Sequence, residues 1–191
     1  MRKTPKPRKI LCLIALAAAA FLAVRLAYGY YPVRHMEIIN ENAALFGIEA
    51  SLICGIIHSE SRFSEFAVSP KNASGLMQVT RPTAEWIAGE AGMENFDYAD
   101  IFDPVINIRI GCHYLKWLLN RYENRDTAVA AYNAGNGNVD RWLGDKAYSA
   151  DGITLSEIPF PETRAYVARV NRSCKAYGRL IPLYSFFGRF I

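Results

Sequence analysis

Glu60 stands where an apolar helical run, Ile56-Ile57-His58-Ser59, gives way to the polar stretch Ser61-Arg62-Phe63. A carboxyl at the end of an apolar helix is partly withdrawn from water, and desolvation disfavours its charged form and raises its pKa. A carboxyl that stays protonated near neutral pH can donate a proton to a glycosidic oxygen. Glutamates at helix ends are as a rule solvated, so the neighbours of Glu60 must decide between the two readings. Ser69 follows on a loop that could fold back over the helix end, or could cap its own turn. Gly75-Leu76-Met77-Gln78 joins a tight-turn residue, two apolar side chains and an amide that donates and accepts; Leu76 and Met77 also read as core. Tyr132 offers a ring for stacking on a sugar and a phenolic proton, or is an interior tyrosine with a satisfied hydroxyl. Asn133 and Gly135 fit a helix C-terminal stop. Glu162 and Arg164 read as a local surface pair.

Other residue types point away from metal and redox chemistry. His35, His58 and His113 show no ligand spacing. Cys112 and His113 are adjacent, so on a helix they point about 100° apart and chelate poorly. No metal and no cofactor is expected. Cys54, Cys112 and Cys174 each fall on an apolar helical face and read as buried thiols, with a single bridge as the alternative. His58 lies two residues before Glu60, a spacing that does not share a helix face, so it is expected to point away from the carboxyl.

The elements that must position these residues are helical, and no convincing period-2 strand is found. Pro32 opens a helix through Val33–Phe46, stopped by Gly47. Glu49 to Ser61 forms the next, with Leu52, Ile53, Ile56 and Ile57 as its stripe. Arg62 to Gly75 is a loop, and Pro82 begins another helix. Asp103-Pro104 is an N-cap followed by proline at the first helical position. The helix behind it is apolar on most sides (Val105, Ile108, Cys112, Leu115 on one face, Ile106, Ile110, Tyr114, Trp117 on others) and so belongs at the centre of a bundle. Asp126 caps a short helix running into Tyr132, and Asn138 to Leu143 adds a turn or two. Glu162 to Tyr177 is the last long helix. Gly144 to Pro161 reads as a mobile loop.

Charge divides the chain. The formal net charge is +4, but residues 1–36 carry seven bases and no acid, leaving 15 bases against 18 acids in the rest. The basic excess belongs to the tail, so no nucleic-acid partner is inferred. Five of those bases lie in residues 2–9, ahead of the uninterrupted apolar run Ile10 to Val24. The run reads as an uncleaved membrane anchor, residues 10–30, with a cleaved signal sequence as the alternative. The expected organisation is a basic cytoplasmic tail (1–9), the anchor, a catalytic domain (31–181) and an aromatic C-terminal tail (182–191). Bases on the cytoplasmic side place the domain outside the membrane, in a single-pass arrangement, or free and secreted if the N-terminus is cleaved.

Four segments in order, Glu60-Ser61-Arg62-Phe63 with Ala67-Val68-Ser69, Gly75-Leu76-Met77-Gln78, Ala131-Tyr132-Asn133-Ala134-Gly135, and Glu162-Thr163-Arg164-Ala165-Tyr166-Val167, resemble the catalytic domain of soluble lytic transglycosylases. The resemblance runs from about Pro32 to Tyr177. It implies an all-α, lysozyme-like (goose-type) domain acting on the glycan strands of peptidoglycan. It implies Glu60 as the catalytic acid and then base, oriented by Ser69, with Met77, Gln78, Tyr132, Asn133, Glu162 and Tyr166 as substrate-binding residues. The product implied is a 1,6-anhydro-N-acetylmuramic acid end. A goose-type lysozyme that uses water and a non-catalytic peptidoglycan-binding module are the alternatives, and protein partners are not inferred. Two positions depart from the family pattern. Asn72-Ala73 replaces Gly-Ala, tolerable because asparagine accepts positive φ. Arg81 stands where a proline usually follows the glutamine, with Pro82 behind it.

Overall fold

The computed structural model describes residues 7–187, so the basic residues 2–6 and the aromatic tail beyond Phe187 lie outside the described residues. Two compact units are present, residues 1–33 and 34–191. The first is helix α1 (Pro7–Tyr30). Its stretch Ile10–Tyr30 has a mean hydropathy of 2.5 and is long and apolar enough to cross a membrane. Leu11, Leu16, Phe21 and Leu22 along it are exposed.

The second unit is helical. It comprises α2 (Met36–Phe46), α3 (Ala50–Glu60), α4 (Arg81–Glu90), a short 3-10 helix (Tyr98–Phe102), α5 (Pro104–Arg121), α6 (Arg125–Ala134), α7 (Asn136–Leu143) and α8 (Pro161–Phe187). Among the described residues the only β-type pairing is two isolated bridges, Val68 with Ser74 and Ser74 with Val79. The α5 start is as the sequence implies: the Asp103 carboxylate accepts from the Val105 amide at 2.7 Å. Ile108, Ile110, Cys112, Leu115 and Leu118 of α5 are buried, which makes it a central helix.

Several boundaries move. Helix α2 begins at Met36 rather than Val33, because His35 takes a left-handed conformation (φ 55°) just before it. Helix α6 is capped by Asn124, not Asp126; the Asn124 side chain accepts from the Thr127 amide at 3.0 Å. Helix α7 starts at Asn136, directly after Gly135 (φ 84°). Helix α8 does not stop at Tyr177 but runs through Gly178 and Pro182 to Phe187. Both residues are local stop signals, and Pro182 removes one backbone donor. The segment 144–161 is tied by its own hydrogen bonds. Ser149 donates to the Thr154 carbonyl at 2.8 Å, and the Asp151 carboxylate accepts from the Ile153 and Thr154 amides at 2.8 and 2.7 Å.

Helices α3 and α8 form the scaffold of the site. Their contacts run in opposite chain directions, from Ser51 against Cys174 (3.5 Å) to Glu60 against Tyr166 (2.6 Å). Gly55 lets the backbones meet: a Cβ there would stand 3.1 Å from the Cys174 nitrogen and 3.2 Å from the Val170 oxygen. Ile53, Ile56 and Ile57 are fully buried on α3, and each contributes about 1.5–3 kcal/mol by leaving water. Cys54, Cys112 and Cys174 are buried free thiols. Burial, then the proximity of Cys174, pushes Cys54 up to about 12, so it is an inert apolar filler.

Candidate active site

The apolar stripe of α3 ends at Glu60, and packing against α8 fixes where that end lies. Glu60 keeps some solvent access but is crowded by the core beneath it. Burial pushes its carboxyl up from 4.5 to about 7. The Tyr166 hydroxyl and the Arg169 guanidinium oppose this rise, and the charge of Glu162 adds to it. The Tyr166 hydroxyl donates to Glu60 Oε1 at 2.6 Å, a length typical of a charge-assisted bond. One hydrogen bond of this kind fixes the carboxyl's rotamer while leaving its second oxygen uncommitted.

The segment following Glu60 is irregular and strongly bonded. Ser61 Oγ donates to the Leu76 carbonyl at 2.8 Å, with the Ile57 carbonyl at 3.2 Å. The helix end is thereby tied to the Gly75–Gln78 turn. Four of the six described non-glycine residues with positive φ lie between 62 and 78: Arg62 (52°), Phe63 (63°), Asn72 (58°) and Gln78 (48°). Such conformations are costly and persist where surrounding structure over-determines them. Around the Ser74–Gln78 turn Asn107 does so. Its Nδ2 donates to the Ser74 and Ile101 carbonyls at 3.1 and 2.8 Å, and its Oδ1 accepts from the Met77 amide at 2.7 Å. Gly75 (φ 78°) is required beside it, since a Cβ there would lie 2.1 Å from Asn107 Nδ2.

The residues expected to line the site take distinct places. Tyr132 is close to Glu60, whose charge adds to burial in raising its phenol well above the usual range. Its hydroxyl donates to the Met77 carbonyl at 3.0 Å, which joins α6 to the turn. Met77 itself is fully buried; its sulfur packs where a side chain on Gly111 would be, so only its backbone takes part. Gln78 Nε2 donates to the Ala67 and Gly75 carbonyls at 2.9 and 2.8 Å, closing the loop. Ser69 Oγ accepts from the Ala73 amide at 3.1 Å and closes its own turn, whereas the contact to Glu60 comes from Tyr166. Tyr166 is 1% exposed and acts through Glu60 rather than as a surface. Asn133 Oδ1 accepts from the Thr163 hydroxyl at 2.8 Å, linking α6 to the start of α8. Glu162 is exposed and lies 3.8 Å from Lys71. His58 faces α8, with Nδ1 3.0 Å from Ser173 Oγ.

Asn107 and Arg169 do not stand out in the sequence as site residues, and Ser61 does so only as part of the Glu60-Ser61-Arg62-Phe63 segment, with no role of its own. Asn107 did carry a signal: a lone amide among Val105, Ile106 and Ile108 on an apolar helix must satisfy its polar atoms internally. Ser61 and Arg169 look like ordinary polar residues in a helix end and a helix face.

The domain is all-helical and presents one desolvated carboxyl at a helix end, beside a loop held by the side-chain amides of Asn107 and Gln78, in the all-α lysozyme-like fold that its solved neighbours share. The family model described as Transglycosylase SLT domain matches residues 37–153, and the chain belongs to that family. The Membrane-bound lytic murein transglycosylase C of Yersinia pestis (strain Pestoides F) is 34% identical over 170 residues, 76% of this chain and 47% of the relative. The chain thus spans about half the length of the curated relatives it matches. An inactive mutant of lytic transglycosylase Slt from Pseudomonas aeruginosa superposes with a TM-score of 0.71 at 32% identity, over 80% of this chain and 25% of that one. The 70 kDa soluble lytic transglycosylase from Escherichia coli gives 0.72 at 29% identity, over 81% of this chain and 26% of that one. A complex of the 70 kDa soluble lytic transglycosylase with bulgecin A superposes with the same TM-score of 0.72 at 29% identity.

Proposed function

We propose that this chain is a peptidoglycan lytic transglycosylase that cuts the β-1,4 bond between N-acetylmuramic acid and N-acetylglucosamine. The observation that carries the reading is the state of Glu60: pushed up to about 7 by burial and oriented by the Tyr166 hydroxyl at 2.6 Å. Such a carboxyl is protonated often enough near neutral pH to act as an acid and ionises readily enough to act next as a base. Glu60 protonates the oxygen leaving C1 of the muramic sugar, and the neighbouring N-acetyl carbonyl stabilises the cationic intermediate. The ionised Glu60 then takes the proton of the same sugar's 6-hydroxyl, which attacks C1 and closes a 1,6-anhydro ring. The proton given to the leaving oxygen is recovered from the 6-hydroxyl, so no water is consumed.

Ser69, Met77, Gln78, Tyr132, Asn133, Glu162 and Tyr166 make up the surrounding substrate site in this reading. Tyr166 and Tyr132 act by holding the carboxyl and the turn; Gln78 and Met77 shape the turn; Ser69, Asn133 and Glu162 retain polar atoms available to a glycan. Digestion of purified peptidoglycan followed by mass analysis tests the proposal. Fragments ending in the anhydro sugar, lighter by one water than hydrolysis products, are expected. Fragments of full hydrolytic mass assign a lysozyme, and no release with retained binding assigns a non-catalytic module.

In the same reading α1 is a single-pass anchor with the basic tail in the cytoplasm and the domain on the cell-wall side. The apolar length of Ile10–Tyr30 supports it. Protease added to intact spheroplasts should then remove the domain and leave the anchor. A mature protein starting beyond Tyr30 would instead indicate a cleaved signal.

A further inference from the structure

Charge within the domain is not spread evenly. Residues 37–162 carry nine bases against 18 acids, whereas residues 163–191 carry six bases and no acid. Five of the six lie on α8, at Arg164, Arg169, Arg172, Lys175 and Arg179. One side of that helix, formed by Tyr166, Val167, Val170, Ser173, Cys174 and Tyr177, is buried in the domain, and all five bases are exposed. From Arg169, the exposed residues Arg172, Lys175, Arg179 and Leu183 follow at steps of three, three, four and four, the spacing of one helix face. Arg164 is engaged by Glu157 at 3.6 Å, and the Arg169 guanidinium lies 5.7 Å from the Tyr166 ring centroid. Among the described residues no carboxylate forms an ion pair with Arg169, Arg172, Lys175 or Arg179, although acids are plentiful elsewhere in the domain. Like charges three or four apart on a helix repel one another, so the stripe costs stability that an anionic partner would restore.

The helix does not end with the stripe. It runs on to Phe187, and Leu183 and Tyr184 in this extension are 48% and 45% exposed. Leu183 stands four residues past Arg179, so the cationic face turns apolar without changing direction. A soluble polyanion would meet the cations and leave this apolar end in water. A bilayer with acidic headgroups satisfies both. Its phosphates meet the guanidinium and ammonium groups, while the acyl boundary takes up the leucine and the tyrosine, whose ring and hydroxyl suit that interface.

We infer that the outer face of α8 docks on an anionic lipid surface, with Arg172, Lys175 and Arg179 at the headgroups and Leu183 and Tyr184 at the acyl boundary. The contact is separate from α1 and independent of the reaction at Glu60: it holds the domain itself to the membrane. The full chain is placed in lipid nanodiscs and hydrogen exchange is read along α8. Discs of phosphatidylcholine alone are compared with discs containing roughly one third phosphatidylglycerol. Amides of residues 178–187 should exchange at least about tenfold more slowly in the acidic discs, since each cation near such a surface is worth roughly fivefold in affinity. The slowing should vanish in about 0.5 M salt and in the triple variant Arg172→Gln, Lys175→Gln, Arg179→Gln. Unchanged protection of α3 in that variant shows that it is folded. Equal exchange in the two lipids, or a slowing that survives the triple substitution, overturns the inference. Polyglutamate added to the phosphatidylcholine discs is the control for a soluble polyanion, and the same slowing with it also overturns the lipid assignment. If the mature chain begins beyond Tyr30, flotation replaces the discs. Wild type should then rise with the acidic vesicles and stay behind with phosphatidylcholine, and failure to rise overturns the inference whatever becomes of the anchor or the catalytic reading.

Discussion

Helices α3 and α8 meet through small and apolar residues, with Gly55 admitting the Cys174 and Val170 backbone to 3.1 and 3.2 Å of its would-be Cβ. The segment from Ser64 to Thr80 has no regular element, and Asn107, Gln78 and Ser61 hold it by side-chain bonds to backbone groups. Both regions converge on Glu60, but they hold it by different physics. Packing sets the position and desolvation of the carboxyl. Directed hydrogen bonds set the shape of what faces it. Packing errors degrade gradually, because neighbours relax; a missing amide leaves several buried backbone groups unpaired at once. The loop side should therefore be the more brittle of the two.

The largest effect is expected at the point both regions serve. Glu60→Gln keeps the size of the side chain and removes the acid, so release of anhydro fragments should fall by about 10³-fold. Stability should move the other way. The carboxyl's pKa is about 7 folded against 4.5 in its ordinary state, so the folded chain binds the proton more tightly. Its contribution to stability is full below the ordinary value and is lost as pH rises through the folded one. Glutamine does not titrate, so the variant's advantage in thermal or denaturant unfolding should grow between those values and level off above, reaching at most about 3 kcal/mol. An advantage that shrinks with rising pH would mean that Glu60 is not desolvated.

Asn107→Ala against Gly55→Ala compares the two regions directly. The first orphans the Met77 amide and the Ser74 and Ile101 carbonyls, and should cost about 2–4 kcal/mol with loss of activity. The second places a methyl against backbone and should cost about 1–3 kcal/mol, with α3 and α8 easing apart. Denaturant midpoints check both. If Gly55→Ala is the more damaging, the loop is less dependent on Asn107 than its bonds indicate.

The same contrast explains what the sequence discloses. Ile53, Ile56 and Ile57 recur at helical spacing and do end at Glu60, so the scaffold and the position of the acid are legible from periodicity. The Tyr166 bond to Glu60 spans 106 residues, and no local pattern encodes it. The pairing of Gly75 with Asn107 spans 32 positions and depends on a backbone shape that only the folded loop defines. Met77 reads as a site residue by its motif but is consumed by packing against Gly111. Helix α8 outlasts Gly178 and Pro182, where local propensity predicts a stop.

Two smaller substitutions act on Glu60 with opposite signs. Tyr166→Phe keeps the ring and removes a donor that favours the ionised carboxyl, so the pKa of Glu60 should rise further. The alkaline limb of the pH–rate profile then moves to higher pH, while the peak rate drops about tenfold as the carboxyl loses its fixed rotamer. Glu162→Gln removes a negative charge that raises Glu60, so the same limb should move to lower pH. This second shift is the smaller, because Glu162 is 70% exposed and solvent screens it. Added salt should erase most of the difference between Glu162→Gln and wild type and leave the Tyr166→Phe shift in place, since a short buried bond is screened far less than a surface charge. Limbs that move in the same direction, or a Tyr166→Phe shift that salt abolishes, would show that long-range charge rather than the Tyr166 contact sets the proton affinity of Glu60.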